Sequence, residues 1–299
     1  MTTVASDTGV GPLLRRWREQ RRISQLELAL RADSSSRHIS FIETGRSRPS
    51  EEMVLRLAEH LDVPVRERNA LLVMAGYAPR YAQTAFDDPA LAPVREGMER
   101  LLQGYDPYPA LVVDGVYDVV AANRGVEMLM EGVAGHLLVP PLNAMRLTLH
   151  PEGLAPRIRN LREWRADLLA QMRRQIALAR SAELRELYEE VAGYPSPGRA
   201  DGPEGSGPTG NAEAAAGSAD GPAGSVASAD RTIDGARAVS AAPSFALPLR
   251  IEHGGRVLSF ISSIATFNTP MDVTVAELAI ETFLPADRAT ADLLRSLAP

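Results

Sequence analysis

The sequence predicts an all-α head followed by an α+β body built on an antiparallel sheet. Three observations carry this reading. Apolar residues recur with helical period from Leu13 to about Ala75, strand-like runs separated by turn dipeptides begin only after Tyr108, and helical patterns lie between those runs. At 299 residues the chain has room for about two domains, and with 45% hydrophobic and 23% charged residues it has ordinary core material.

In the head, Pro12 can open a first helix whose stripe is Leu13, Leu14 and Trp17, ending near Arg22. Ser24 fits an N-cap, and Glu27 completes an S-x-x-E capping box for a short second helix carrying Leu26, Leu28, Ala29 and Leu30. Asp33 and the serines 34–36 break it, and a third helix over 36–44 buries Ile39 and Ile42 before Gly45 stops it. Pro49-Ser50 with Glu51 and Glu52 starts a fourth helix, with Val54, Leu57, Ala58 and Leu61 inward, and a fifth covers 65–75. Helix two, a tight turn and helix three form a helix-turn-helix pattern, whose second helix is free to enter a major groove.

In the body, one helix over 94–103 precedes ALVVDGVYDVVAAN, where Asp114-Gly115 predicts a two-residue type I′ hairpin. Residues 123–131 and 157–191 read as helices, the second with Trp164, Leu168, Met172 and Ile176 at steps of four. From 196 to 242 there are 13 Ala, 9 Gly, 6 Ser and 4 Pro but no Leu and no aromatic, so a disordered insertion is expected. Strands resume over 245–252, turn at His253-Gly254-Gly255 and run on through 256–267. A further strand over 277–284 alternates Leu278, Ile280 and Leu284 on one face, and a last helix covers 286–297.

The chain has no cysteine, and all 32 of its Lys-plus-Arg residues are arginine. Disulfides, thiolate nucleophiles, sulfur-ligated zinc, P-loops, Schiff-base enzymes and Ser-Lys proteases are thereby excluded. No H-x-x-H, H-E-x-x-H or G-x-S-x-G pattern is present, His150 in Leu149-His150-Pro151-Glu152-Gly153 reads first as a turn stabiliser, and no cofactor or metal site is expected. The expectation is a protein that is not an enzyme. Neither a membrane span nor a basic, apolar leader is visible, which reads as soluble and cytoplasmic with no membrane partner. The net charge is −6, but residues 1–80 carry 13 Arg against 10 Asp plus Glu, a net of +3 that leaves −9 on the rest. A basic head on an acidic body suits a polyanionic partner.

The string ISQLELALRADSSSRHISFIETGRSRPSEEMVLRLAEHLDVP resembles the lambda-repressor-like, Xre-type helix-turn-helix domains over about residues 11–76. PYPALVVDGVYDVVAAN, PLNAMRLTLHPEGLAPRI, TPMDVTVAEL and FLPAD resemble the ligand-binding domain of MmyB-like transcription regulators over about 93–298, apart from the insertion. The domains expected are 11–80 for the head, 81–92 as linker and 93–298 for the body. The second resemblance implies a PAS-like fold with an apolar pocket, a fatty acid being one occupant.

The first resemblance implies double-stranded DNA as partner, with Ser36, Arg37, Ser40 and Phe41 on the groove-facing side of helix three and His38 beside them. Ser35 would cap that helix at a phosphate seat. Arg37 can bond guanine bidentately and Phe41 can touch a thymine methyl. Gln25, Arg46 and Arg48 are expected at phosphates, and Glu43 with Arg18 is expected to bridge helix three to helix one. Where relatives place Gly and a buried aliphatic in the turn, this chain has Asp33 and Ser34. For a small apolar ligand, the candidates are Val112, Val119, Met128 and Leu129, together with Trp164, Leu168, Phe260 and Ile264. Asn143 or Arg146 could hold a carboxylate. The expected whole is a homodimeric, ligand-responsive transcriptional regulator. The alternative is an interaction module whose head docks a protein and whose body carries lipid or serves as a scaffold, without DNA.

Overall fold

The computed structural model describes residues 9–179, 181–195, 246–267 and 270–297, and the expected insertion at 196–242 lies outside them. The head consists of α1 (Val10–Gln20), α2 (Gln25–Arg31), α3 (Ser36–Glu43), α4 (Glu51–His60) and α5 (Val65–Met74). Serine caps set three of the starts. Ser24 Oγ accepts from the Glu27 amide at 3.0 Å, Ser35 Oγ from His38 at 3.1 Å and Ser50 Oγ from Met53 at 3.2 Å. Each satisfies an amide that the first turn of a helix leaves without a partner. Asp33 holds the left-handed backbone of the turn at φ 49°, which a short polar side chain tolerates.

Leu14 and Trp17 of α1 pack with Leu28, Ile39, Ile42, Leu57 and Leu72, and each such side chain contributes about 1.5–3 kcal/mol by leaving water. Leu26 and Leu30, read with the apolar residues of α2, instead stand in solvent at 61% and 74% exposure. Helices α1 and α3 touch almost backbone to backbone: a Cβ on Gly11 would lie 2.3 Å from the Ile42 carbonyl oxygen.

One ion pair is built into this core. Arg18 Nε donates to Glu43 Oε1 at 2.6 Å, Nη2 to Oε2 at 2.9 Å, and Nη1 to the Ile23 carbonyl at 2.9 Å. The two residues are 8% and 5% exposed. The hydrogen bond to the Glu43 carboxylate holds the Arg18 guanidinium above its ordinary pKa.

The body is a five-stranded antiparallel sheet of order β2-β1-β5-β4-β3, from β1 (Ala110–Val113), β2 (Val119–Ala122), β3 (Leu249–His253), β4 (Arg256–Thr266) and β5 (Ala279–Pro285). Helix α6 (Ala92–Tyr105) covers one face, with Met98 and Leu102 against Val112 and Ile280. On the other face α7 (Arg124–Leu129), α8 (Ala144–Leu149), α9 (Leu161–Ala179) and α10 (Ala182–Ala192) enclose the main core. Short α11 (Val273–Glu277) leads into β5, and α12 (Arg288–Leu297) follows it. This is the PAS-like α+β arrangement that the sequence predicts. Among the described residues no helix is long and apolar enough to cross a membrane.

Three local expectations change. The β1–β2 connection runs through 114–118 instead of a two-residue turn, because Asp114 Oδ1 accepts from the amides of Val116 and Asp118, both at 2.9 Å, with Tyr117 at φ 64°. The helix expected over 157–191 is two helices, the second restarted where Ser181 Oγ accepts from the Leu184 amide at 3.1 Å. The linker expected at 81–92 is pinned to the body: Val273 N donates to Ala82 O at 2.8 Å, and Thr84 Oγ1 to Asp272 Oδ2 at 2.7 Å.

Replacing Glu43 by alanine leaves the buried guanidinium of Arg18 with only the exposed Glu19, 3.9 Å away, as ionic partner. The expected loss in urea titration is about 3–5 kcal/mol, most of it recovered in an Arg18→Met, Glu43→Leu double variant. A single-variant loss below roughly 1 kcal/mol, the range of exposed pairs, contradicts the buried role.

Candidate nucleic-acid interface and apolar cavity

Helix α3 turns Ile39, Ile42 and Glu43 inward, and this fixes which side chains face out. Ser36, Arg37 and His38 are exposed, while Ser40 and Phe41 are half-buried on the same outer side. The Arg37 guanidinium lies 5.2 Å from the Phe41 ring centroid and that of Arg46 lies 6.0 Å from it, so two cations stand at one aromatic ring. Neither has an ion pair among the described residues. Ser35 caps the helix as expected and leaves its N-terminal end in solvent.

Two expected contacts are engaged elsewhere. Gln25 Nε2 donates to Glu43 Oε2 at 2.8 Å, joining the Arg18–Glu43 pair, and only its second N–H remains for an outside acceptor. Arg48, expected at phosphate, folds back on α5: its Nε and Nη2 donate to the Ala75 carbonyl at 3.1 and 2.9 Å, and it stacks 5.3 Å from Tyr77. The unpaired carbonyls at a helix end draw a guanidinium in this way.

Between the sheet and helices α7, α8 and α9 lies a cavity of about 100 Å³. Of the ten ligand candidates, Val119, Leu129, Trp164 and Leu168 line it. The other six do not. Strand alternation turns Val112 to the α6 side and gives its place to Leu111. Phe260 is fully buried in the core, edge-on to Phe283 at 6.3 Å, and it is Phe283 that reaches the cavity. Ile264 sits toward the end of β4, 47% exposed. Met128 packs on the core while Val126 and Met130 line the wall. Asn143 caps α8, its Oδ1 accepting from the Met145 and Arg146 amides at 3.2 Å, and its amide nitrogen donates to Val116 O at 2.9 Å and Asp118 Oδ1 at 2.8 Å. Arg146 is held bidentately by Glu190, Nε to Oε1 at 2.8 Å and Nη2 to Oε2 at 2.7 Å, so neither carboxylate-binding candidate faces the cavity.

The sequence reading missed Met145, Leu147 and Leu154, which line the cavity from the stretch around His150. It also missed Glu281, among the described residues the one ionisable side chain in the lining. Glu281 keeps some accessible surface yet lies beneath a nearly complete shell of protein, and Ser262 Oγ donates to its Oε1 at 2.7 Å. Burial pushes its carboxyl above the ordinary range, partly offset by that hydroxyl. The neighbouring Tyr117 hydroxyl is pushed up to about 12, by burial first and then by Glu281. The indole N–H of Trp164, in the same cavity wall, has no acceptor among the described residues. Away from the cavity, His136, His150 and Glu152 bring possible metal-ligating atoms within 4.8 Å of one another. His150 Nδ1 accepts from the Glu152 amide at 3.0 Å, the turn-stabilising role its motif predicts.

The head and the cavity strand are linked. Arg66 of α5 donates through Nε and Nη2 to Glu277 at 2.6 and 2.8 Å, and Glu277 closes α11 just before β5.

Two family models match the chain: helix-turn-helix over residues 14–68 and MmyB-like transcription regulator ligand binding domain over 94–200. No curated protein matches it. Among solved structures, that of the clp gene regulator ClgR from Corynebacterium glutamicum is similar at 24% identity, covering 33% of this chain and 93% of that one, with a TM-score of 0.21.

The raised Glu281 carboxyl gives a signed pH dependence. The folded protein keeps this proton to higher pH than the unfolded chain. Glu281 therefore costs nothing below the unfolded value of about 4.3 and lowers stability as pH rises from there through the folded value. Glu281→Gln should gain stability relative to wild type between pH 4 and pH 7 in urea unfolding; a wild-type-to-variant difference equal at both contradicts the burial.

Proposed function

We propose that this chain, a helix-turn-helix protein with an MmyB-like ligand-binding domain, binds a pseudo-palindromic DNA site as a homodimer and alters that binding when its cavity takes up a small apolar molecule. The observation that carries the DNA half is the outer side of α3, where Arg37 and Arg46 stand at Phe41 with no acidic partner among the described residues. Ser35, Ser36, His38 and Ser40 complete this surface, with Gln25 at its margin. Arg37 reads base edges, Arg46 neutralises phosphate, and the open N-terminal turn of α3 receives another phosphate. A second copy adds a half-site about 34 Å away and roughly doubles the contact free energy that one small head supplies. The work is done in the cytoplasm, where the DNA is.

The sensing half rests on the cavity and on the short route from it to the head. Glu281 and Phe283 stand on β5, and Glu277, which grips Arg66, stands only four residues before Glu281. A ligand that prefers one placement of β5 thereby biases the head through α11, provided its affinity differs between the two placements. A fatty acid fits this cavity poorly. Among the described residues no cation lines it to hold a carboxylate.

Fluorescence anisotropy with duplexes from the protein's own promoter region tests the DNA half. Arg37→Ala should erase about 1–3 kcal/mol of preference at one base pair. Arg46→Ala should weaken all sequences alike and lower the salt slope by about one. Equal loss of specificity in both variants contradicts the assignment, and no binding at low salt favours the protein-docking alternative.

A further inference from the structure

Among the described residues the cavity wall is apolar apart from Thr148, Glu281 and the indole N–H of Trp164. Glu281 is set there by the sheet: on β5 it pairs with Leu111 of β1 and Ile264 of β4, and strand alternation fixes its side chain on the cavity face. One carboxyl oxygen accepts from Ser262, and among the described residues no other hydrogen bond and no ion pair reaches the group. A carboxyl held in an apolar cavity with an unused acceptor oxygen destabilises the empty protein and is explained by something that binds it.

We propose that the ligand of this cavity is a small apolar molecule ending in a hydrogen-bond donor, a hydroxyl or an ammonium group, which the second oxygen of Glu281 accepts. The inference rests on the sensor reading above and sharpens it. A carboxylate head is refused, since among the described residues no arginine or histidine lines the wall to compensate a negative charge brought beside Glu281. Arg146, the nearest candidate from the sequence, already has Glu190.

Isothermal titration calorimetry on the full chain near pH 7 tests this with two matched pairs. 1-Hexanol is set against its isomer methyl pentyl ether, which accepts but does not donate, and hexylamine against hexanoate. The donor-bearing member of at least one pair should bind about tenfold or more tightly than its mate, and Glu281→Met should reduce that ratio to within about threefold. The proposal is overturned if the donor wins in neither pair, or if Glu281→Met folds and keeps the preference. The wild-type pairs decide the matter even if the variant does not fold. Failure of all four compounds to bind overturns the sensor reading itself, whereas binding that ignores the head group overturns only this inference.

Discussion

The buried pair of Arg18 and Glu43 is the constraint on which the head depends. It ties α1 to α3 at the point where Gly11 lets their backbones approach, and it recruits Gln25 from α2 and the Ile23 carbonyl between them. With Ile39, Ile42 and Glu43 held inward, helical geometry turns Arg37 and Phe41 to the opposite side with Ser40 at its edge, while Ser36 is exposed because it opens the helix. A buried ion pair is poor value as a source of stability, because desolvation offsets most of its attraction. Its effect here is orientation, since the pair joins side chains of α1, α2 and α3 at one point.

The body works by a different rule. Both faces of its sheet are covered, α6 on one side and α7 to α10 on the other, so alternate residues of each strand enter two separate cores. On β5 this sends Ile280 toward α6 and Glu281 and Phe283 toward the cavity. The strand that carries the polar residue of the cavity also begins at the helix that grips the head through Glu277 and Arg66. Occupancy and head placement are therefore mechanically adjacent, with one strand between them.

What was legible in the sequence was local. Ser24, Ser35 and Ser50 announce three helix starts because a cap is a bond between residues three apart, and the Arg18–Glu43 pair followed from a resemblance that covers the whole head. The Gly254-Gly255 turn was legible for the same reason, both glycines taking positive φ. The cavity was far less so. Four of its expected residues face it, but Val112 was misplaced because the choice of sheet face depends on which strands pair, which local spacing does not encode, and Ile264, paired with Glu281 on the cavity face, lies too near the exposed end of β4 to line it. Glu281 was invisible for that reason too: an acid in a strand reads as solvent-facing until a second layer of helices covers it. The contact of Arg48 with the end of α5 was not legible because that partner lies 27 residues away.

The account turns on the outer side of α3 lying against a duplex. Hydrogen–deuterium exchange on the full chain, with and without a bound promoter duplex, measures this directly. Slowed exchange should centre on residues 35–41 and 46, flanked by the start of α2. Protection confined to the body or to α4 and α5, with the α3 amides unchanged while DNA is bound, would contradict it.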